Sequence, residues 1–171
     1  MTHGAPEATP ETDEVPPLNV AERAFWLAFM RALMVVPRAL DADLLAGPRM
    51  SATEYRVLMV LSESPDRRLR MSELAAACDL SLSGMTRLVA RLEADGLVVR
   101  MQSECDARGF NAVLTDAGFA RLEGAYPQHL ASVRRNVIDH LSDFDLDRLA
   151  AAFNAFAEGE PACPAIPESG C

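Results

Sequence analysis

The 171-residue sequence predicts a mainly α-helical fold carrying one small β-hairpin. Three observations lead there. Apolar residues recur at helical spacing through most of residues 20–156. Two of the resulting helices are short and joined by a tight turn. Directly behind them come two β-like runs, Leu97 to Met101 and Phe110 to Leu114.

Taken in order, residues 1–18 hold four acids, no base, and Pro6, Pro10, Pro16 and Pro17, a composition that cannot repay its ordering entropy. They are expected to form a disordered acidic tail, as are the Pro-rich residues 159–171 at the other end. A first helix is expected from Val20 to about Leu45. It is rich in Phe25, Trp26, Phe29, Met30, Leu33 and Met34, with Pro37 kinking it and Gly47-Pro48 ending it. It is apolar on too many sides for a lone surface helix. A second helix opens on Ser51-Ala52-Thr53-Glu54, where hydroxyl and carboxylate can satisfy backbone N–H groups reciprocally, and stops at Pro65-Asp66.

After a short extended piece, Arg68 to Met71, Ser72 can cap a third helix that runs through Cys78. Asp79-Leu80-Ser81 makes the turn. Ser81 then caps a fourth helix with a buried stripe of Met85, Leu88, Val89 and Leu92, and Gly96 supplies a left-handed stop. Its opposite face carries Ser83, Gly84, Thr86, Arg87, Ala90 and Arg91, with no acid before Glu93. The hairpin follows, its strands joined by a polar connection from Gln102 to Gly109. Thr115 begins a long fifth helix to about Leu141, with a proline kink at Pro127. Ser142 or Asp143 begins a sixth, through Phe156, that is expected to bury Leu146, Leu149, Ala150, Phe153 and Phe156.

The formal charge of -9 argues at first against a nucleic-acid partner, but it is unevenly distributed. Residues 1–18 carry -4, residues 19–50 +1, residues 51–118 -2 and residues 119–171 -4. All 16 basic residues are arginine, whose planar fork suits phosphate and guanine edges, although arginine-only usage can equally reflect genome composition. Cys78, Cys105, Cys163 and Cys171 form no C-x-x-C pair, and His129 and His140, eleven residues apart on one helix, could meet only through a partner chain or a kink, so no metal or cofactor is expected. No membrane segment or export signal is apparent, which gives a cytoplasmic expectation. Nor does any paired-carboxylate, Ser-His-Asp or Gly-rich phosphate motif support an enzyme.

Two short helices, a tight turn and a hairpin form the order of a winged helix-turn-helix, in which the second short helix enters the major groove and the hairpin tip can reach the minor groove. Ser81, Ser83, Gly84 and Thr86 would allow close backbone approach and offer hydroxyls. Arg87 and Arg91 would offer charge to phosphate or a fork to guanine.

The resemblance becomes specific in Leu74-Ala75-Ala76-Ala77, Ser81 to Val89, and Leu92-Glu93-Ala94-Asp95-Gly96-Leu97-Val98, which together look like the recognition region of the MarR family of bacterial transcriptional regulators. Asp106-Ala107-Arg108-Gly109 is similar to that family's wing-tip motif, and Leu114-Thr115-Asp116-Ala117-Gly118 to its wing-to-helix junction. The similarity covers residues 20–156.

It implies a homodimer built on the first, fifth and sixth helices, binding double-stranded DNA at a palindromic operator and often released by a small anionic aromatic ligand. Arg108 would be the minor-groove arginine and Asp106 the carboxylate that orients it. The domain expectation is therefore one unit over 19–158, with a DNA-binding lobe at about 51–118 and dimerisation helices at about 19–46 and 115–157. Its function would be that of a repressor released by an aromatic or phenolic effector.

Alternatives stand beside several of these residues. Trp26, Met30 and Arg31 are the best candidates for the effector pocket, since an apolar slot with one cation suits an aromatic carboxylate, yet the first-helix aromatics also suit a dimer core. Cys105 beside Arg108 invites a thiol-sensing reading, which the adjacent Glu104 and Asp106 oppose. The competing function is a small-molecule-binding or redox-sensing protein whose DNA-binding lobe is degenerate.

Overall fold

The computed structural model describes residues 15–102 and 109–157. The predicted tails therefore fall outside the described residues, apart from positions 15–18, which carry no regular structure. The chain forms two compact units, Met1–Met34 and Val35–Cys171.

The first unit contributes the leading part of helix α1 (Val20–Ala46). Asn19 opens it. Its side-chain oxygen accepts from the Glu22 N–H at 3.0 Å while the Glu22 carboxylate accepts from the Asn19 N–H at 2.8 Å, so two of the helix's orphan donors are satisfied reciprocally. Phe25 and Phe29 stack at 5.9 Å, and Trp26 tilts against Phe29 at 6.3 Å.

The second unit contains every other element. Helix α1 continues through Pro37 and ends before Gly47. Helix α2 (Ala52–Glu63) has the reciprocal cap expected of it: Glu54 N–H donates to Ser51 Oγ at 3.2 Å, and Glu54 Oε2 accepts from Ser51 N–H at 2.8 Å. Strand β1 (Arg68–Arg70), helix α3 (Met71–Ala77) and helix α4 (Leu82–Ala94) follow. Ser81 caps α4 by accepting from the Gly84 N–H, and Gly96 adopts φ +73° after it, as its position requires. Strands β2 (Val98–Gln102) and β3 (Phe110–Leu114) precede helices α5 (Asp116–Asn136) and α6 (Leu146–Ala157).

The fold is the mainly α arrangement the sequence predicts, with its hairpin extended to a three-stranded antiparallel sheet of order β1-β3-β2. Arg68 faces Val113 and Arg70 faces Asn111, while Val98 faces Leu114 and Gln102 faces Phe110. Alternation turns Val98, Ala112 and Leu114 inward, where they join Leu58, Leu61, Leu74, Met85, Val89 and Leu92 in a continuous core. Truncating any one of these leucines to alanine should cost about 2–5 kcal/mol.

Where α4, β2, β3 and α5 meet, one peptide organises the join. Leu97 N–H donates to Leu92 O at 2.8 Å, and Leu97 O accepts from both the N–H and the Oγ1 of Thr115 at 3.1 Å. A β-carbon on Gly118 would lie 2.1 Å from that same carbonyl oxygen. A second polar join ties the end of α1 to α5. Asp43 accepts from Ser132 Oγ, Arg135 and Asn136, and the fully buried Ser132 hydroxyl, first among these causes, holds the Asp43 carboxyl below its ordinary pKa.

Several elements depart from expectation. The extended piece at Arg68 is a paired strand, because β3 has a free edge to receive it. Helix α3 starts two residues earlier than a Ser72 cap allows. Arg70 takes the capping position, and its N–H is satisfied by Glu73 Oε2 at 3.2 Å. Helix α5 runs through Pro127 but ends at Asn136 instead of Leu141: Val137 turns to φ -134°, and Ile138–Leu141 form a 3-10 turn. Helix α6 begins at Leu146, not at Ser142 or Asp143, since Asp145 Oδ1 accepts from the Arg148 N–H at 3.1 Å and so provides the cap. The five α6 residues expected to be buried are not. Leu149 is half-buried, whereas Leu146, Ala150, Phe153 and Phe156 are exposed in the single chain, because the apolar face of α6 has no covering element there.

The crowding at Leu97 makes a direct prediction. Gly118→Ala drives a methyl group into backbone and should destabilise by about 1–3 kcal/mol or more. Urea unfolding measures it, and an unchanged midpoint would show that the join is not as tight as described.

Candidate nucleic-acid interface

The exposed face of α4 is built from its capping chemistry outward. Ser81 Oγ accepts from Gly84 N–H at 3.1 Å and lies 3.3 Å from Ser83 Oγ, so two hydroxyls crowd the positive end of the helix. Gly84 leaves room for this. A β-carbon there would sit 3.1 Å from Ser81 Oγ. Thr86 Oγ1 donates back to Leu82 O at 2.8 Å, which leaves its lone pairs outward as acceptors. The first turn contains no acid. Ser83, Thr86, Arg87 and Arg91 are all exposed, and Arg87 makes no ion pair among the described residues.

Structure and sequence reading diverge at Arg91. Its guanidinium is not free: Nη2 donates to Glu54 Oε1 of α2 at 3.3 Å, although the side chain remains 66% exposed. A cleft of about 260 Å³ opens beside this pair, lined by Arg49, Glu54, Asp95 and Arg121 together with Leu92.

Two further ion pairs hold the lobe in shape and escaped the sequence reading. Arg56 of α2 donates to Asp79 Oδ2 at 2.8 Å and to Ala77 O at 3.1 Å, clamping the turn between α3 and α4, where Asp79 takes φ +53°. Arg100 of β2 donates through Nε to Glu93 Oε2 at 2.7 Å, and its own N–H reaches Glu93 Oε1 at 3.2 Å. These Arg100 hydrogen bonds hold the Glu93 carboxyl below its ordinary pKa. They also lock the hairpin's first strand to the last turn of α4. Arg100 stands seven residues from Glu93, across a turn, where no helical spacing would suggest the pair.

Solved structures with this arrangement have a consistent identity. Sco3205, a MarR family transcriptional regulator from Streptomyces coelicolor solved in complex with DNA, is 36% identical, with a TM-score of 0.80 over 88% of this chain and 95% of that one. AbsC, a MarR family regulator from the same organism, is 35% identical, with a TM-score of 0.77 over 85% of this chain and 97% of that one. The chain belongs to the MarR family.

A MarR family profile matches residues 50–109, the stretch from the start of α2 to the hairpin connection. The HTH-type transcriptional repressor YetL of Bacillus subtilis (strain 168) is 33% identical over 102 residues, which span 60% of this chain and 60% of YetL. As a MarR family member the chain is a transcriptional regulator and not an enzyme.

The wing-tip residues Asp106 and Arg108, and Cys105 beside them, lie outside the described residues. Trp26, Met30 and Arg31 lie in the first unit, all exposed along α1. Cys78 is buried, and desolvation pushes its thiol pKa up, which fits a packing role and not a reactive one. Among the described residues no group of three or more His, Cys, Asp or Glu side chains is placed to hold a metal ion, and no helix is long and apolar enough to cross a membrane.

The Glu93–Arg100 lock carries a pH signature. A carboxyl whose folded-state pKa is lowered contributes stability that is complete above its ordinary value of 4.5 and is lost as the pH falls through the folded-state value. Thermal unfolding from neutral to acid pH should therefore show stability declining on the acid side, and Glu93→Gln should make that decline shallower. Superimposable profiles for the two proteins would remove the lock from the account of acid stability.

Proposed function

We propose that this MarR family protein is a cytoplasmic homodimeric repressor that binds a palindromic duplex operator and is released by a small aromatic or phenolic effector. The observation that carries DNA engagement is the exposed leading face of α4: hydroxyl-capped, free of acid in its first turn, and followed by Arg87, which is unpaired among the described residues. Backbone N–H groups and the helix dipole there favour phosphate, and Ser81, Ser83, Gly84 and Thr86 allow close approach. Arg87 reads a base edge or holds a phosphate, and Arg91 holds a phosphate. At the wing tip, Arg108 enters the minor groove, oriented by Asp106. The repressor reading is supported by the likeness to YetL.

Dimer formation is supported separately in each unit by apolar surface without cover. In the second, Phe144, Leu146, Phe153 and Phe156 are all exposed, and in the first so are Phe25, Trp26 and Leu33. Few monomeric proteins leave so many large apolar side chains in water. Trp26, Met30 and Arg31, open in one chain, would line an effector slot once a second copy covers them. Sedimentation at micromolar concentration should accordingly give about twice the 18.5 kDa chain mass. A folded monomer would overturn the dimer.

The DNA reading is tested by titrating the operator at several salt concentrations with folded wild type and two variants. Arg87→Ala should cost about 1–3 kcal/mol if it reads a base and relax preference at one operator position. Arg108→Ala should weaken binding to every sequence and lower the salt slope by about one per half-site. Wild-type affinity and salt slope in both variants would mean that neither Arg87 nor Arg108 touches DNA, whereas a wild type that binds no operator would leave the competing ligand-binding function in place.

A further inference from the structure

We propose that Glu54 is a positioning residue for DNA binding: it holds the Arg91 guanidinium in place from α2, so that this arginine meets a phosphate already ordered. The proposal rests on the reading that α4 engages DNA.

The geometry is specific. Glu54 is itself fixed, since its Oε2 accepts from both the N–H of Ser51 at 2.8 Å and the Ser51 hydroxyl at 3.0 Å. The carboxylate is only 22% exposed, and its other oxygen, Oε1, is the one that receives Arg91. Arg91 meets it through a single nitrogen, Nη2, at 3.3 Å, and its side chain stays 66% exposed. Among the described residues no hydrogen bond is made by Nε or Nη1, and the side chain stands one helical turn beyond Arg87.

An arginine side chain gives up considerable rotamer freedom when it is immobilised, and a partner that restricts it beforehand lowers that cost at the moment of binding. Arg87 has no such partner among the described residues. The two arginines of one face thus meet DNA differently: Arg87 free to search, Arg91 preset. The pair also connects α2 to the last turn of α4, so the capping of one helix and the presentation of the other share a single carboxylate.

Glu54→Gln separates these duties. Glutamine at the third helical position can complete the same reciprocal cap with Ser51, so α2 keeps its start while Arg91 loses its anionic anchor. The experiment is operator titration with full-length wild type, Glu54→Gln, Arg91→Ala and the double variant, with thermal midpoints confirming that each is folded. Glu54→Gln should weaken binding about 1.5- to fivefold, the range expected of a partly exposed ion pair. Its salt slope should stay unchanged, because Arg91 still reaches the phosphate. Arg91→Ala should lower the slope.

In the Arg91→Ala background, Glu54→Gln should have no further effect. Equal or tighter binding by Glu54→Gln would overturn the proposal, as would the same loss with and without Arg91. Either result, with wild type and Arg87→Ala behaving as expected, leaves DNA engagement by α4 intact. Absence of wild-type binding would overturn both.

Discussion

The peptide of Leu97 is the point on which the rest of the second unit depends. Its N–H closes the end of α4, its carbonyl takes the N–H of Thr115 and shares the Thr115 hydroxyl with the Gly96 carbonyl, and its oxygen lies where any side chain at position 118 would have to go. Four elements meet at this group. The inclination of α4 to the hairpin, and of both to α5, is set by hydrogen bonds and hard contact within one small volume. Interiors packed this densely do not deform continuously.

Around that join, charge is arranged so that acids organise arginines. Asp79 holds Arg56, Asp116 holds Arg67, Glu54 holds Arg91 and Glu93 holds Arg100. Each pair is partly exposed and of small value for stability taken alone. Their effect is directional. They fix where guanidinium groups stand on the lobe and leave Arg87 unpaired among the described residues. A formal charge of -9 is therefore compatible with a locally basic face, because charges beyond a Debye length of about 8–10 Å are largely screened.

Much of this was legible in the sequence wherever the cause was local. The Ser51 and Ser81 caps, the stripe at Met85, Leu88, Val89 and Leu92, and the left-handed Gly96 all follow from residues within one or two turns of one another. What resisted reading was long-range. Nothing near Arg68 announces its pairing with Val113, and the Glu54–Arg91 contact joins residues 37 positions apart. The start of α6 turned on competition between neighbouring caps, where Asp145 prevailed over Ser142 and Asp143. The apolar face of α6 was readable as a face, but its exposure depends on what covers it and not on its own pattern. Helical spacing suffices to place Arg91 on the exposed face of α4, but not to reveal its partner Glu54.

The strand order has a consequence for colloidal behaviour. With β3 in the middle, β1 and β2 are both edges, and a glutamate takes one backbone N–H on each, Glu73 that of Arg70 and Glu93 that of Arg100. Such edges invite pairing with other chains, and Val99 and Met101, both exposed, add apolar surface to β2. Both edges are short, and β2 carries Arg100 at its centre while β1 is flanked by Arg68 and Arg70. Arginines placed at these positions act as gatekeepers, keeping a small sheet from growing by addition of another molecule's strand. The residue that fastens the hairpin to α4 thereby also guards the protein against aggregation.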